Sequence, residues 1–227
     1  MKKPVKRLPK KAIKKPAKKS AKKPVQLNLG CGVNLLSGFI NVDKFITEDE
    51  LREGARTHQG IWKGVIYPKD ATFLQADMLA LPFKDNSVDY IECLEALEHL
   101  PYKDVEKAAA EMYRVLKPGA ELCLCVPDMD DMSHVWQERI AGKPWDPYAF
   151  FGLVQQFYGN QLHKGEFHTS TFNETYLSGL LEAIGFDPKK IVIDARKHNE
   201  KVPIFRGAKW DPEMVLIIGM LTATVTK

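Results

Sequence analysis

The chain has 227 residues, and 44% of them are hydrophobic; this is enough for one large core and excludes wholesale disorder. No stretch is long and apolar enough to read as a membrane-spanning helix. The net charge of +4 hides an asymmetry: residues 1–24 carry 12 Lys or Arg and no acid, whereas the rest carries 21 basic and 29 acidic residues, a net of −8.

Residues 1–24 form a Lys-rich segment interrupted by Pro4, Pro9, Pro16 and Pro24. Its like charges repel and it has little to bury, so it reads as a disordered tail. It lacks the apolar stretch of a secretory signal. Its only evident partners are polyanions, held weakly and without sequence preference through phosphates, since no aromatic side chain is present for base stacking. Residues 25–227 read as one domain.

In that domain, Val25–Leu29 is a first short strand, ending in Gly30-Cys31-Gly32. Phe39–Val42, ending at Asp43, is a second. Residues 44–70 read as an irregular loop with at most a helical turn. Thr72–Gln75 is a third strand, ending near Asp77, and Val88–Cys93 a fourth. Val105, Ala108, Ala109, Met112 and Leu116 recur at helical spacing, and Lys117-Pro118-Gly119 stops that helix. Glu121–Val126 is a fifth strand, closed by Pro127-Asp128. Residues 129–170 are aromatic-rich and fit no strand–helix repeat. A helix over Asn173–Ile184, capped by Gly185, precedes two final strands, Ile191–Asp194 and Met214–Ile218. Strands alternating with helices predict a three-layer, Rossmann-like α/β sandwich: a mostly parallel seven-stranded sheet with an antiparallel edge strand.

Four cysteines stand at 31, 93, 123 and 125, with no C-x-x-C spacing, so no metal site is read from them. Without an export signal they are expected as reduced thiols in the cytoplasm.

In an open α/β sheet the ligand lies at the carboxyl ends of the strands. There the chain places two glycines after strand one, Asp43 after strand two and Asp77 after strand three. Glycines admit a close backbone approach, one carboxylate can accept from a ribose diol, and the next from an exocyclic amine; together these describe an adenosine. The dinucleotide fingerprint requires a third glycine where Leu35 stands, and no phosphate-binding G-x-x-x-x-G-K-[ST] loop occurs.

These residues lie in LNLGCG (27–32), GFINVD (38–43), QADMLALPFKDNSVDYIECLEALEHL (75–100) and YRVLKPGAELCLCVPD (113–128). With them the chain resembles the class I S-adenosylmethionine-dependent methyltransferases, of the type carrying methyltransferase domain 11. The resemblance implies S-adenosyl-L-methionine as cofactor and methyl transfer as activity. It implies Gly30, Cys31 and Gly32 passing under the methionine part, Asp43 on the ribose, Asp77 on the adenine amine and Met78 against the ring. Cys93, Leu94 and Glu95 would lie beside the cofactor, and His99 would face the acceptor or hold that loop. Asn28 stands where the family usually has an acid, so it offers an acceptor but no charge. Only residues 30–38 separate strands one and two, fewer than a parallel crossover usually needs, so either the first helix shrinks to about a turn or strand two is very short.

The acceptor would sit over the cofactor beneath residues 129–172, a substrate-side insertion. Trp136, Trp145, Tyr148, Phe150, Phe151, Phe157, Tyr158 and Phe167 suggest an apolar lid, although ordinary helix packing also explains them. His163 and His168 are candidate bases for a hydroxyl acceptor. The acceptor is expected to be a small or carbohydrate-like molecule. A nucleic-acid methyltransferase tethered by the tail, and a non-catalytic cofactor-binding protein, are the competing readings.

Overall fold

The structure, a computed structural model, describes residues 23–57, 66–143, 147–161, 164–196 and 219–227. The Lys-rich segment up to residue 22, His163 and the expected strand Met214–Ile218 lie outside the described residues.

Seven strands form one sheet: β1 (Gln26–Leu29), β2 (Ile40–Asp43), β3 (Thr72–Gln75), β4 (Val88–Leu94), β5 (Leu116–Pro127), β6 (Val192–Arg196) and β7 (Met220–Thr226), in the order β3-β2-β1-β4-β5-β7-β6. The pairs among β1 to β5 are parallel. The antiparallel strand is β7, which lies one place in from the edge, between β5 and β6. The helices are α1 (Glu48–Thr57), α2 (Tyr102–Val115), α3 (Met129–Ile140), α4 (Pro147–Tyr158) and α5 (Glu174–Ala183).

Period-two alternation makes the sheet's two faces chemically different. Leu27, Leu29, Val42, Ile91, Leu124 and Leu221 point to one side, where they pack with Val105, Met112, Leu177 and Leu181 of α2 and α5. The opposite side carries Asn28, Asn41 and Glu92 at its centre, all buried. It is flanked by an α1 cluster of Cys31, Leu35, Ile46 and Leu51, and by an α3/α4 cluster of Cys125, Met132, Val135, Leu153 and Met220.

The described elements depart from expectation in four places. Residues 44–70 contain a ten-residue helix, α1. It starts at a capping box: Glu50 N–H donates to Thr47 Oγ1 (3.3 Å), and Thr47 N–H donates to Glu50 Oε2 (2.8 Å). The aromatic-rich segment contributes α3, capped by Asp128 accepting from Asp130 N–H (3.0 Å), and α4. Lys117-Pro118-Gly119 does not separate α2 from β5: the strand starts at Leu116, and a register shift opposite Val88 and Tyr90 absorbs the irregularity. The final strand is β7, in which Leu221, Ala223 and Val225 face the core, each at most 2% exposed, alternating with Thr222 and Thr224.

The β1–β2 connection contains no helix. A parallel crossover this short leaves loop backbone groups buried with no helical partners. Two neighbouring amides supply those partners. Asn28 Nδ2 donates to the Asn34 carbonyl (2.8 Å) and to Asn41 Oδ1 (2.9 Å). Asn41 Oδ1 also accepts from Leu36 N–H (2.8 Å), while its Nδ2 donates to the carbonyls of Leu36 (3.0 Å) and Thr72 (3.2 Å). Asn41 is fully buried, so removing its amide strands several backbone groups. Asn41→Ala is expected to cost about 2–4 kcal/mol, read as a lowered urea midpoint at unchanged slope. An unchanged midpoint would show that the turn does not depend on this amide.

Candidate functional site

A cavity of about 770 Å³ opens at the carboxyl ends of β1, β2 and β4, within the range of roughly 300–1,000 Å³ usual for small-ligand sites. Its walls include Asn28, Gly30, Cys31, Gly32, Asp43, Asp77, Met78, Leu94, Glu95, His99 and His168. Cys93 is different. Strand alternation sends it to the apolar face, where it is fully buried among core side chains and does not line the cavity. Three consecutive residues leaving a strand cannot all face one side.

Gly30 forms the floor. Its φ is +64°, and a Cβ there would stand 2.3 Å from Ala96 Cβ and 3.5 Å from Met78 Cε. The turn is anchored by Asp43, whose Oδ2 accepts from Gly32 N–H (3.0 Å) and whose Oδ1 accepts from Phe45 N–H (2.8 Å). Oδ1 also accepts from Ile46 N–H (3.2 Å), so it is Oδ2 that keeps a further acceptor position for a ligand hydroxyl. Asp77 accepts from Leu79 N–H (3.0 Å) and pairs with Lys44 Nζ (2.7 Å). Burial pushes the Asp77 carboxyl up, but Lys44 and that N–H outweigh it and hold the group below its usual range. The pair is half exposed on the lysine side, so a ligand amine can displace Lys44 at little cost. The Cys31 thiol packs with Leu35 and Leu51, and burial raises its pKa well above the usual value. It is an apolar wall, not a nucleophile.

Glu92, which the sequence reading did not single out, also lines the cavity and is 3% exposed. It is the register partner of Asn28 on the neighbouring strand. The signal was present: Glu92 alternates with the core residues Ile91 and Cys93, so a carboxylate had to face the polar side.

Beyond β4 the chain turns sharply at Glu95, whose φ is +51°, into a 3-10 turn over Leu97–His99. Burial raises the Glu95 carboxyl. Glu98 is 2% exposed, and burial first and the Glu95 charge second raise its carboxyl well above the usual range. The His99 and His168 rings meet edge to face, with centroids 4.7 Å apart. His168 Nδ1 lies 2.7 Å from the Gln156 carbonyl, and burial lowers the pKa of the ring.

His168 reaches this position through a reversal of chain after α4. Gly159 has φ +78°, and a Cβ there would come within 1.8 Å of the Glu166 carbonyl oxygen, so only glycine admits the approach. Among the described residues this part of the wall is polar: Gln155, Gln156, Asn160, Lys164, Glu166, His168 and Thr169 line it, together with the ring of Phe167. The expected apolar lid is therefore not what the described aromatics build. Phe157 packs with the α3/α4 cluster, and Trp136, Phe150 and Tyr158 are exposed.

The comparisons with known proteins agree with this fold. Residues 27–124 match the family profile described as "Methyltransferase domain". Residues 27–124 thus carry a methyltransferase domain, and with them the chain is similar to the class I S-adenosylmethionine-dependent methyltransferases. The fold is shared with an S-adenosylmethionine-dependent methyltransferase of Archaeoglobus fulgidus (TM-score 0.53, 14% identity, 90% of this chain and 86% of that one). It is also shared with one of Methanosarcina mazei (TM-score 0.53, 19% identity, 91% and 94%). Among curated relatives, a demethylmenaquinone methyltransferase of Lactiplantibacillus plantarum is 44% identical over 66 residues, covering 28% of this chain and 27% of that protein. Cycloartenol-C-24-methyltransferase of Arabidopsis thaliana is 36% identical over 78 residues, 33% of this chain and 23% of that protein. The chain spans no more than a third of the length of these relatives.

The two cavity glycines are separable. At Gly32, φ is +49° and nothing lies within 4 Å of an added Cβ. Gly32→Ala should cost only the backbone strain, about 1–2 kcal/mol. Gly30→Ala adds the Ala96 clash and is expected to displace the floor and abolish S-adenosylhomocysteine binding in calorimetry. Equal affinity in the two variants would remove Gly30 from the site.

Proposed function

We propose that this protein transfers a methyl group from S-adenosylmethionine to a small, polar, hydroxyl-bearing acceptor. Bound, the cofactor supplies a methyl already activated on a sulfonium. The chain's part is to hold, orient and keep water away. Gly30 and Gly32 let the backbone lie against the methionine portion. Asp43 accepts from the ribose hydroxyls, and Asp77, released from Lys44, from the adenine amine. Met78 packs against the ring. Glu92, beside Asn28, offers the negative charge that Asn28 lacks. His99 and His168 face the acceptor.

The observation that carries the acceptor class is the polar wall from Gln155 to Thr169. Cycloartenol or demethylmenaquinone, named in the relatives matched above, would strand those amides and charges against hydrocarbon. Carbohydrate-like hydroxyls would satisfy them. A labelled-methyl screen should therefore show transfer to sugars or polyols in preference to quinones and sterols. Transfer confined to the apolar acceptors would overturn this class. Asp43→Ala removes charge-assisted bonds of about 1.5–3 kcal/mol, so cofactor affinity should fall roughly 10- to 150-fold. Unchanged calorimetric affinity would sink the assignment of Asp43.

The four thiols, all free, fit a cytoplasmic setting. No described helix is long and apolar enough to cross a membrane. Residues 1–24 would act as a separate, weak polyanion contact. Their deletion should leave cofactor affinity intact and abolish oligonucleotide binding in fluorescence anisotropy, a binding that should weaken steeply with salt. Tight, salt-insensitive binding by the truncated chain would favour a nucleic-acid acceptor.

A further inference from the structure

On the acceptor side of the cavity, Glu98, His99 and His168 each offer a ligand atom, and the three atoms lie within 4.8 Å of one another. Ligands held about 2.0–2.2 Å from one ion stand roughly 3–3.5 Å apart, so side-chain adjustments on the order of 1 Å would close this set. We propose that Glu98, His99 and His168 form a divalent-metal site that binds and activates the acceptor hydroxyl; this rests on the methyltransferase reading above.

Three independent features point to a ligand. First, Glu98 is 2% exposed, and its Oε2 has no hydrogen-bond partner among the described residues. A buried carboxylate oxygen is expensive to leave so, and a cation is the partner that best satisfies it. Glu95 adds a second carboxylate whose charge bears on Glu98.

Second, His168 is oriented as metal-binding histidines are. One ring nitrogen, Nδ1, donates to a backbone carbonyl, that of Gln156, at 2.7 Å. That bond selects the tautomer with a free lone pair on Nε2, the second-shell arrangement that fixes imidazole ligands. His99 contributes a ring nitrogen from the adjoining turn.

Third, the ligand-bearing segments are preorganised although 70 residues apart. Thr169 N–H and Ser170 N–H both donate to the Glu98 carbonyl (2.8 and 3.1 Å). Thr169 Oγ1 donates to the His99 carbonyl (3.2 Å), and Ser170 Oγ to that of Leu100 (2.6 Å).

Two imidazoles and one carboxylate suit Zn²⁺, Mn²⁺, Fe²⁺ or Co²⁺, and leave coordination positions open. An acceptor hydroxyl taking one such position becomes more acidic. Its O–H bond breaks and the proton passes to water at the cavity mouth. The oxygen keeps the electron pair and forms the new O–CH₃ bond. The S–CH₃ bond breaks as that pair forms, its electrons staying on sulfur, which leaves S-adenosylhomocysteine.

The test uses the untagged full chain, stripped with a chelator and titrated with Co²⁺ (visible absorption) and Mn²⁺ (electron paramagnetic resonance). One saturable site per chain is expected, with oxygen and nitrogen ligation. Glu98→Gln, which keeps side-chain size, and His168→Ala should each weaken it at least ~10- to 100-fold, with folding checked by circular dichroism. Asp43→Ala should keep the metal site while losing cofactor affinity. Absence of saturable binding by either metal would overturn the proposal. So would sulfur-to-cobalt charge-transfer bands, which mark a cysteine site, or unchanged affinity in both variants. Cofactor binding that persists without metal binding refutes the metal site alone; cofactor binding absent throughout refutes the methyltransferase reading instead.

Discussion

The amide of Asn41 sits where the architecture has least room for error. A parallel pair joined by so short a connection must bury loop backbone that no helix satisfies. Asn41, with Asn28 beside it, takes up the Leu36 N–H and C=O and the Asn34 carbonyl. Holding that loop fixes Gly30 and Gly32 at one end and Asp43 at the other. Gly32 N–H then closes onto Asp43 Oδ2, so the glycine turn and the strand-two carboxylate form one rigid unit. The cavity floor inherits its shape from this hydrogen-bonded loop, where longer crossovers would use a helix. The cost is specificity of residue type: Asp at position 41 would put a buried charge there, and a hydrocarbon would leave the loop unpaired.

The sheet separates stability from function by face. The α2/α5 side is uniformly apolar, and its residues were legible because hydrophobic periodicity reports such burial directly. Thr72–Gln75, the buried stripe of α2 and the helix between Asn173 and Gly185 appear where the pattern put them. The polar side was legible only in part. Asn28 and Glu92 interrupt otherwise apolar strands, and such interruptions mark the face that meets a ligand. Alternation read strictly would have removed Cys93 and added Glu92. The α1 capping box at Thr47 and Glu50 was readable too, but the mean polarity of residues 44–70 obscured it. β7 was missed because its outward Thr residues make it look weaker than Met214–Ile218. Paired along both edges, between β5 and β6, it buries one face and leaves its Thr face half-buried, a pattern that β-branched residues suit.

The strap from Lys164 to Ser170 could not have been read from local sequence. Its position depends on the Glu98 and Leu100 carbonyls, 70 residues earlier, and on a glycine at 159 that lets the chain fold back on Glu166. Aromatic content suggested an apolar cover, yet composition does not say which way a side chain points. Phe157 faces the protein core and Trp136 faces solvent, so among the described residues of this segment those that meet the cavity are, Phe167 apart, amides, charges and an imidazole.

The same cavity therefore has two electrostatic ends. Around the glycine turn, Asp43, Asp77 and Glu92 line the wall with Lys44 as the nearby cation. Around the 3-10 turn, Glu98 stands beside two imidazoles, with Glu95 lining the same cavity. Carboxylates outnumber cations at both ends, which suits a positively charged donor at the first and a cation at the second. A methyl group passing from sulfonium to its acceptor leaves the positive centre behind it, so a cavity that favours the sulfonium too strongly would oppose the reaction. Asn28 bears on that balance. Its neutral amide at the head of the glycine motif, with Glu92 one strand away, keeps charge in the wall but moves it off the turn itself. On the proposed reading, the burden of driving transfer then falls on the acceptor side, where Glu98, His99 and His168 converge. That site would hold the deprotonated acceptor oxygen more tightly than the resting hydroxyl, so the nucleophile gains there what the sulfonium end does not supply.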